Sequence, residues 1–318
     1  MLSLIVPVYR NEGSILELID AIEVLNRKLG NGLEAVFVDD GSPDRSLEVL
    51  QRALPAAGFQ SQVLILSRNF GSFAAIRAGL AAGRGERFAV MAADLQEPPS
   101  LIEDFNETLA ADECDVVVGS RNGRLDPFVA RVGSWLFWRL YRTLAQREVP
   151  LGGVDVFGCS RRFRDEILSL HEQNTTLVGL VFWLGFRRRE VGYVRQPRRH
   201  GASAWSFRRK VRYLLDSSFA FSDLPIRLLS LAGLLGIALA VALAAIVLAT
   251  KLAGNVPVPG YTATVLTVMF FGGLNSLGVG MLGEYVWRTF ENTKGRPAFV
   301  VARQINYGER SGNNARTS

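Results

Sequence analysis

Two apolar segments near the C-terminus limit what this chain can fold into. Ile226 to Thr250 carries one charge, Arg227 at its start, and Tyr261 to Gly283 carries none. At a rise of about 1.5 Å per residue, a helix of either length covers a hydrocarbon layer of about 30 Å. A core helix of a soluble domain rarely sustains so long an apolar run, so both segments read as membrane spans. The connection from Lys251 to Gly260 contains Pro257 and Pro259, is too short for a domain, and reads as a hairpin turn.

Basic residues crowd the outer flanks: Arg208, Arg209, Lys210 and Arg212 before the first span, and Arg288, Lys294, Arg296 and Arg303 after the second. The positive-inside rule then puts both ends in the cytosol, which makes the expected location a multi-pass attachment to the inner (cytoplasmic) membrane. The start of the chain lacks a basic leader, and its short apolar run reads as a first strand. Cys114 and Cys159 have no metal-type spacing and read as reduced structural thiols.

The rest of a 318-residue chain is long enough for a full catalytic domain. Apolar runs predict strands at Leu2 to Val8, Glu34 to Val38, Gln62 to Leu66, Phe88 to Ala92 and Asp115 to Val118. Helices are predicted at Ser14 to Leu29, Ser46 to Ala53 and Phe73 to Ala82. This alternation implies an α/β class, Rossmann-like, with a mainly parallel sheet covered by helices on both sides. The expected organisation is a cytosolic domain over 1–204, an amphipathic interfacial helix region over 205–225, a transmembrane hairpin over 226–287 and a cytosolic tail over 288–318. The polar end from Gly308 to Ser318 has little to bury and reads as disordered.

The strand ends carry the candidate chemistry. After Phe88 to Ala92 come Asp94, Gln96, Glu97, Pro98 and Pro99. If the extended geometry persists, Asp94 and Gln96 point to one side and could hold Mg2+ or Mn2+ beside a phosphate. An ordinary acidic loop stopped by the two prolines is an equal reading of that segment taken alone. The first strand is followed by Pro7, Tyr9, Asn11 and Glu12, the second by Asp39, Asp40, Gly41 and Ser42, the third by Ser67, Arg68, Asn69 and Gly71. All three ends open on one edge of a parallel sheet, where a carboxylate can accept from a base or ribose and Arg68 can pair with a phosphate.

Arg187 to Arg212 holds ten arginines and lysines against the single acid Glu190. Phosphate-bearing lipid is a natural partner for such a run, although charges beside a span also set topology alone. Aromatic and aliphatic residues interleave with the charges from Trp205 to Ser222, as in an interfacial helix. Within the hairpin, Ala232, Gly236, Ala240 and Ala244 form one ridge of small residues, and Gly272, Ser276 and Gly280 form another. These suit close packing of the two spans or a homo-oligomer.

Taken in order, Val6-Pro-Val-Tyr-Arg-Asn-Glu12, Val38-Asp-Asp-Gly-Ser42, Ser67-Arg-Asn-Phe-Gly71, Ala93-Asp-Leu-Gln-Glu-Pro-Pro99, Gly119-Ser-Arg121, Gly283-Glu-Tyr285 and Lys294-Gly-Arg-Pro297 resemble a known family. It is the polyprenyl-phosphate glycosyltransferases of glycosyltransferase family two, which have a GT-A fold and include dolichyl-phosphate mannose synthase and bactoprenol glucosyltransferase. The resemblance implies inverting transfer of a sugar from a nucleotide diphosphate, with UDP favoured, to undecaprenyl phosphate at the cytosolic membrane face. It implies no nucleic-acid partner. By position, Pro7, Tyr9, Glu12, Asp40, Arg68, Asn69 and Gly71 would bind the nucleotide, and Asp94 and Gln96 the metal. Asp155 matches an acid near the reacting phosphate. Arg121 and Arg131 match basic catalytic positions, and together with Ser134, Arg199 and Ser203 they would engage acceptor or other phosphates.

The chain departs from the family's pattern at Ala92, where an aspartate is usual, and at Ala204, where a lysine is usual. Those departures motivate an alternative, a membrane-anchored protein that binds a nucleotide sugar or lipid phosphate with little turnover. A processive polysaccharide synthase is disfavoured, because no glutamine here begins the Gln-x-x-Arg-Trp motif of that class.

Overall fold

The computed structural model describes residues 1–123, 139, 141, 142, 148–150, 154–172, 175–197, 207–252 and 260–308. An eight-stranded sheet forms the frame, in the order β7-β5-β6-β4-β1-β2-β3-β8. Its first half is the expected alternation, β1 (Leu2–Val8), α1 (Ile15–Lys28), β2 (Leu33–Asp39), α2 (Ser46–Ala53), β3 (Gln60–Leu66), α3 (Ser72–Ala82) and β4 (Arg87–Val90), followed by a helix that the sequence reading lacks, α4 (Ser100–Ala110). These four strands run parallel, β4 beside β1, β1 beside β2 and β2 beside β3.

The expectation of a mainly parallel sheet holds for that half and needs correction beyond it. β5 (Val116–Gly123) pairs antiparallel with β6 (Val154–Ser160), and β6 pairs antiparallel with β4. β7 (Arg188–Val194) runs parallel to β5. The sheet is therefore mixed. Between β6 and β7 lie α5 (Arg161–Ser169) and α6 (Leu177–Trp183).

Period-two alternation builds both faces of the core, because successive strand side chains point to opposite sides. On β1, Leu2, Leu4, Val6 and Val8 face Leu18, Ile22, Leu50 and Phe105 of α1, α2 and α4. Ile5 faces the other way, toward Ile76 and Leu80 of α3, Phe163 of α5 and Leu180 of α6. Helices cover both faces, as the apolar strand runs imply.

Beyond the sheet come α7 (Phe207–Phe221), α8 (Leu224–Leu252) and α9 (Tyr261–Thr293). Among the described residues one helix, over Leu224–Thr250, is long and apolar enough to cross a membrane. Its side chains are exposed, Leu234 by 64%, and so are Val268, Met269, Phe270 and Leu282 of α9. α8 meets α9 at Gly236, where an added Cβ would lie 2.9 Å from the Phe271 ring. The ridge of Gly272, Ser276 and Gly280 does not pack the two helices at its glycines, because nothing lies within 4 Å of a Cβ at Gly272 or Gly280. Gly278 takes that place, facing Leu229 at 3.6 Å.

α9 also overshoots its apolar run. Arg288, on its last turns, donates to Asp216 of α7 at 2.7 Å and to Glu284 at 2.8 Å. The chain then returns to the sheet as β8 (Val301–Tyr307), antiparallel to β3. The segment read as a cytosolic tail thus contributes an edge strand. Residues 309–318 of the polar end lie outside the described residues.

Candidate active site

Parallel pairing puts the C-terminal ends of β1, β2, β3 and β4 on one edge of the sheet. The antiparallel strands bring the start of β6, the end of β5 and the start of β8 to that same edge, and β7 ends there beside β5. The loops carrying Tyr9, Asp40, Arg68, Asp94, Arg121 and Asp155 therefore share one rim, the usual crevice of an open α/β sheet.

The first three loops are tied to one another. Asp40 N donates to Val8 O at 3.0 Å, and Ser14 Oγ donates to Ala93 O at 2.8 Å, joining the ends of β1 and β4. The Asp40 carboxylate accepts from the amides of Phe70 at 2.7 Å and Gly71 at 2.9 Å, and Asn69 Nδ2 donates to Asp40 O. Both Asp40 oxygens thus order the β3–α3 loop that carries Arg68, Asn69 and Gly71. Gly41 sits at φ +64°, and a Cβ there would come within 2.9 Å of the Arg68 carbonyl carbon and of Asn69 N. Only glycine lets the two loops approach so closely.

Burial pushes the Asp40 carboxyl above its ordinary range, against the pull of the Phe70 and Gly71 amides, and burial does the same to Asp39. Burial also acts upward on Asp44, but there the Ser46 hydroxyl and the amides of Glu12 and Ser46 outweigh it and hold the group low. Glu12 pairs with Arg45 at 2.7 Å. Tyr9 is exposed on the rim, with the Arg10 guanidinium 5.4 Å from its ring centre. Pro7 lies within β1.

The spacing argument for Asp94 and Gln96 needs correction. β4 ends at Val90, and Leu95 takes φ +54°, so the backbone between them is not extended. Asp94 Oδ1 accepts from Gln96 N at 3.3 Å. The buried Gln96 side chain accepts from Arg195 Nη2 at 2.6 Å and donates to Gln196 O at 3.3 Å. Gln96 Oε1 already accepts from Arg195, so a metal there would share that oxygen with the guanidinium. Asp94 remains a half-buried hard oxygen donor, suited to Mg2+ or Mn2+. Among the described residues no three His, Cys, Asp or Glu side chains cluster as a metal cage. One carboxylate completed by phosphate oxygens and water is nevertheless an ordinary way to hold Mg2+, so the donor set fits.

Asp155 lies in β6, one residue beyond the Val154–Ser120 pair that joins β6 to β5, where Arg121 follows. It is a strand residue and not a loop or helix-capping acid. Its side chain lies outside the described residues, as do Arg131, Ser134, Arg199 and Ser203 entirely.

The basic run from Arg187 to Arg212 divides. Arg187 bonds Asp115 at 3.0 Å, Arg188 bonds Glu148 at 2.6 Å and Arg189 bonds Glu113 at 2.6 Å. These three pair with acids at the far end of β5 and β7, away from the rim, while Arg198, Arg199 and the side chains of residues 208–212 lie outside the described residues. Among the described residues of the run, Arg195, absent from the residues named from sequence, is the one that reaches the rim. Only the bond across to Gln96, 99 positions away, distinguishes it from its neighbours.

Comparison with known proteins agrees with this rim. The model of "Glycosyl transferase family 2" matches residues 3–170. "Uncharacterized glycosyltransferase YkcC" of Bacillus subtilis (strain 168) is 32% identical over 307 residues, covering 96% of this chain and 94% of the relative. "Undecaprenyl-phosphate 4-deoxy-4-formamido-L-arabinose transferase" of Pseudomonas paraeruginosa (strain DSM 24068 / PA7) is 36% identical over 315 residues, covering 96% and 90%. A weaker likeness, TM-score 0.45 at 18% identity over 70% of this chain and 67% of the other, links it to S. aureus TarS 1-349 in complex with UDP-GlcNAc. The matched region begins in β1 and runs through β6 and α5, so it contains the rim ends of β1 to β6, and on that match the chain belongs to glycosyl transferase family 2, with a GT-A arrangement of its sheet and helices.

Proposed function

We propose that this glycosyltransferase moves a sugar from a nucleotide diphosphate, UDP first among the candidates, to a polyprenyl phosphate at the cytosolic face of the inner membrane. The observation that carries the reading is where the apolar helices connect. The chain leaving α9 places Val300 O as acceptor for Ser67 N at 3.0 Å, immediately before Arg68, Asn69 and Gly71. α7 packs near the start of α3, the helix that follows this loop, with the Tyr213 ring 6.2 Å from that of Phe73. A lipid acceptor held by such helices meets a donor held by that rim. The relative that acts on undecaprenyl phosphate supports the choice of acceptor.

In this reading α8 and α9 form a hairpin of two spans, and α7 lies in the interface. The acceptor phosphate monoester has a second pKa of about 6, so it attacks without needing a strong base. Its oxygen forms a bond to the anomeric carbon on the face opposite the departing diphosphate, the bond from that carbon to the β-phosphate oxygen breaks, and the configuration inverts. Arg68 and Arg121 offer guanidinium groups to phosphate oxygens, and Asp155 orients the acceptor end of the rim. A divalent cation at Asp94 would neutralise charge on the leaving diphosphate.

Incubation of the purified protein with UDP- and GDP-sugars, undecaprenyl phosphate and Mg2+ or Mn2+ should yield a lipid-linked sugar detectable by mass spectrometry. Binding of a donor without any product would favour the binding-protein alternative raised by Ala92 and Ala204. Asp94→Ala should lower metal-dependent turnover at least a hundredfold while leaving the melting temperature within a few degrees. Retained activity would remove Asp94 from the site.

A further inference from the structure

Arg195 follows β7 on the rim and is bonded to an uncharged partner. Its Nη2 donates to Gln96 Oε1 at 2.6 Å, and Gln196 N beside it donates to Gln96 O at 2.8 Å. Arg195 Nε is shielded from solvent and has no hydrogen-bond partner. Among the described residues no carboxylate pairs with Arg195, whereas Arg187, Arg188 and Arg189 on the same strand segment each have one. A desolvated guanidinium N–H without a partner is costly, and Nε with Nη2 forms the planar fork that matches two oxygens of a phosphate.

The path from Arg195 to the rim is short. Gln96 accepts from Arg195 through its side chain and donates to Asp94 Oδ1 through its backbone at 3.3 Å. An anion arriving beside Asp94 therefore competes with the Gln96 carboxamide for the guanidinium. It offers a full negative charge where the amide offers a dipole.

We propose that Arg195 binds a phosphate of the nucleotide-diphosphate donor, exchanging the Gln96 carboxamide for a phosphate oxygen. This rests on the functional reading above and adds to Arg68 and Arg121 a phosphate-binding cation that the sequence does not single out. The exchange also frees Gln96 Oε1 to turn toward Asp94. The same fork would suit the acceptor's phosphate, but its bonded route leads to Asp94, where the donor's diphosphate belongs.

Isothermal titration of the purified full chain in detergent, with UDP and separately with uridine, tests this in the absence of divalent metal. Arg195→Gln should weaken UDP about tenfold to a hundredfold, leave uridine unchanged and leave the melting temperature within error, and Arg195→Lys should recover part of the loss. Unchanged UDP affinity in Arg195→Gln, or an equal loss for uridine and UDP, overturns the assignment. A raised KM for undecaprenyl phosphate with UDP affinity intact would assign Arg195 to the acceptor and overturn the donor role. If the wild-type chain binds neither UDP nor GDP even when Mg2+ or Mn2+ is added, the functional reading falls together with this assignment. If the wild type binds and the variant matches it, this assignment alone falls.

Discussion

β2 carries buried acids at both ends, and they do opposite things. Glu34, at its start, is 0% exposed and is surrounded by donors: Ser3 Oγ at 2.8 Å, Gln62 Nε2 at 2.6 Å, Arg84 N at 2.9 Å and Arg84 Nε at 2.7 Å. Burial raises the cost of its charge, yet the Arg84 amide, Gln62, the Arg84 guanidinium and Ser3 outweigh it and hold the group below its ordinary range. Asp39 and Asp40, at the other end, are 2% exposed each and are held above theirs, mainly by burial. One end of the strand is a finished ion pair that joins strands. The other keeps two closely spaced carboxylates with backbone amides as their main partners, an arrangement suited to shaping a loop.

The largest effect should come from Glu34→Ala. It strands the Gln62 amide and the Ser3 hydroxyl and removes the counter-ion of Arg84, whose side chain is 43% exposed and so keeps part of its hydration. A loss of about 3 kcal/mol is expected in urea denaturation. Gln304 Nε2 donates to Gln62 Oε1 at 2.8 Å, so β8 should loosen as well, read as faster amide exchange over Val301–Tyr307. The pH dependence follows from the sign of the shift. Glu34 is lowered from 4.5, so its stabilisation is present above that value and is lost as pH falls through the folded value below it. The stability gap between wild type and Glu34→Gln should therefore narrow on acidification below 4.5. A gap that stays constant would break the contrast between the two ends.

Gly41→Ala should have a smaller effect on stability and a larger one on the site. The positive φ costs an alanine about 1–2 kcal/mol, and the added Cβ meets the Arg68–Asn69 peptide at 2.9 Å. A donor KM raised about tenfold, with acceptor KM unchanged, is the expected kinetic signature. An equal rise in both would mean that the loop does not belong to the donor alone.

Asp40→Asn should be the mildest of the three globally, costing about 1 kcal/mol through one amide left without an acceptor. Because Asp40 is raised from 3.8, its favourable contribution is full below that value and is lost as pH rises through the higher folded value. The variant should thus gain on wild type between acidic and neutral pH, the reverse of the trend at Glu34. Parallel trends in a pH series of denaturation curves would show that the two ends do not differ electrostatically.

Much of the first half of the fold is legible in the sequence. The strand read at Leu2 to Val8 and the helix read at Ser46 to Ala53 match β1 and α2, and the other boundaries in that half move by a few residues. Apolar runs and turn residues suffice there, since each unit is a strand followed by the helix that covers it. β6, β7 and β8 are not legible in the same way. Arg188–Val194 reads as part of a basic run, and Val301–Tyr307 as part of a cytosolic tail, because the partners that make them strands lie far away along the chain. The rim was readable as a set of motifs, but its bonds were not: the grip of Asp40 on the β3–α3 loop spans 30 positions and that of Arg195 on Gln96 spans 99.

By itself the sequence determined the alternation of strands and helices, the two long apolar segments, and a family of strand-end motifs that can lie on one edge. Each depends on local pattern: period-two burial, uninterrupted apolar length, and turn residues after strands. Tertiary structure alone decided which acids are spent on stability and which remain at the rim. It also decided that the chain leaving α9 returns to the sheet beside Ser67, and that Arg195 faces Gln96 and not an acid. Burial and partners set the energy of a charge, and both come from residues that only folding brings together.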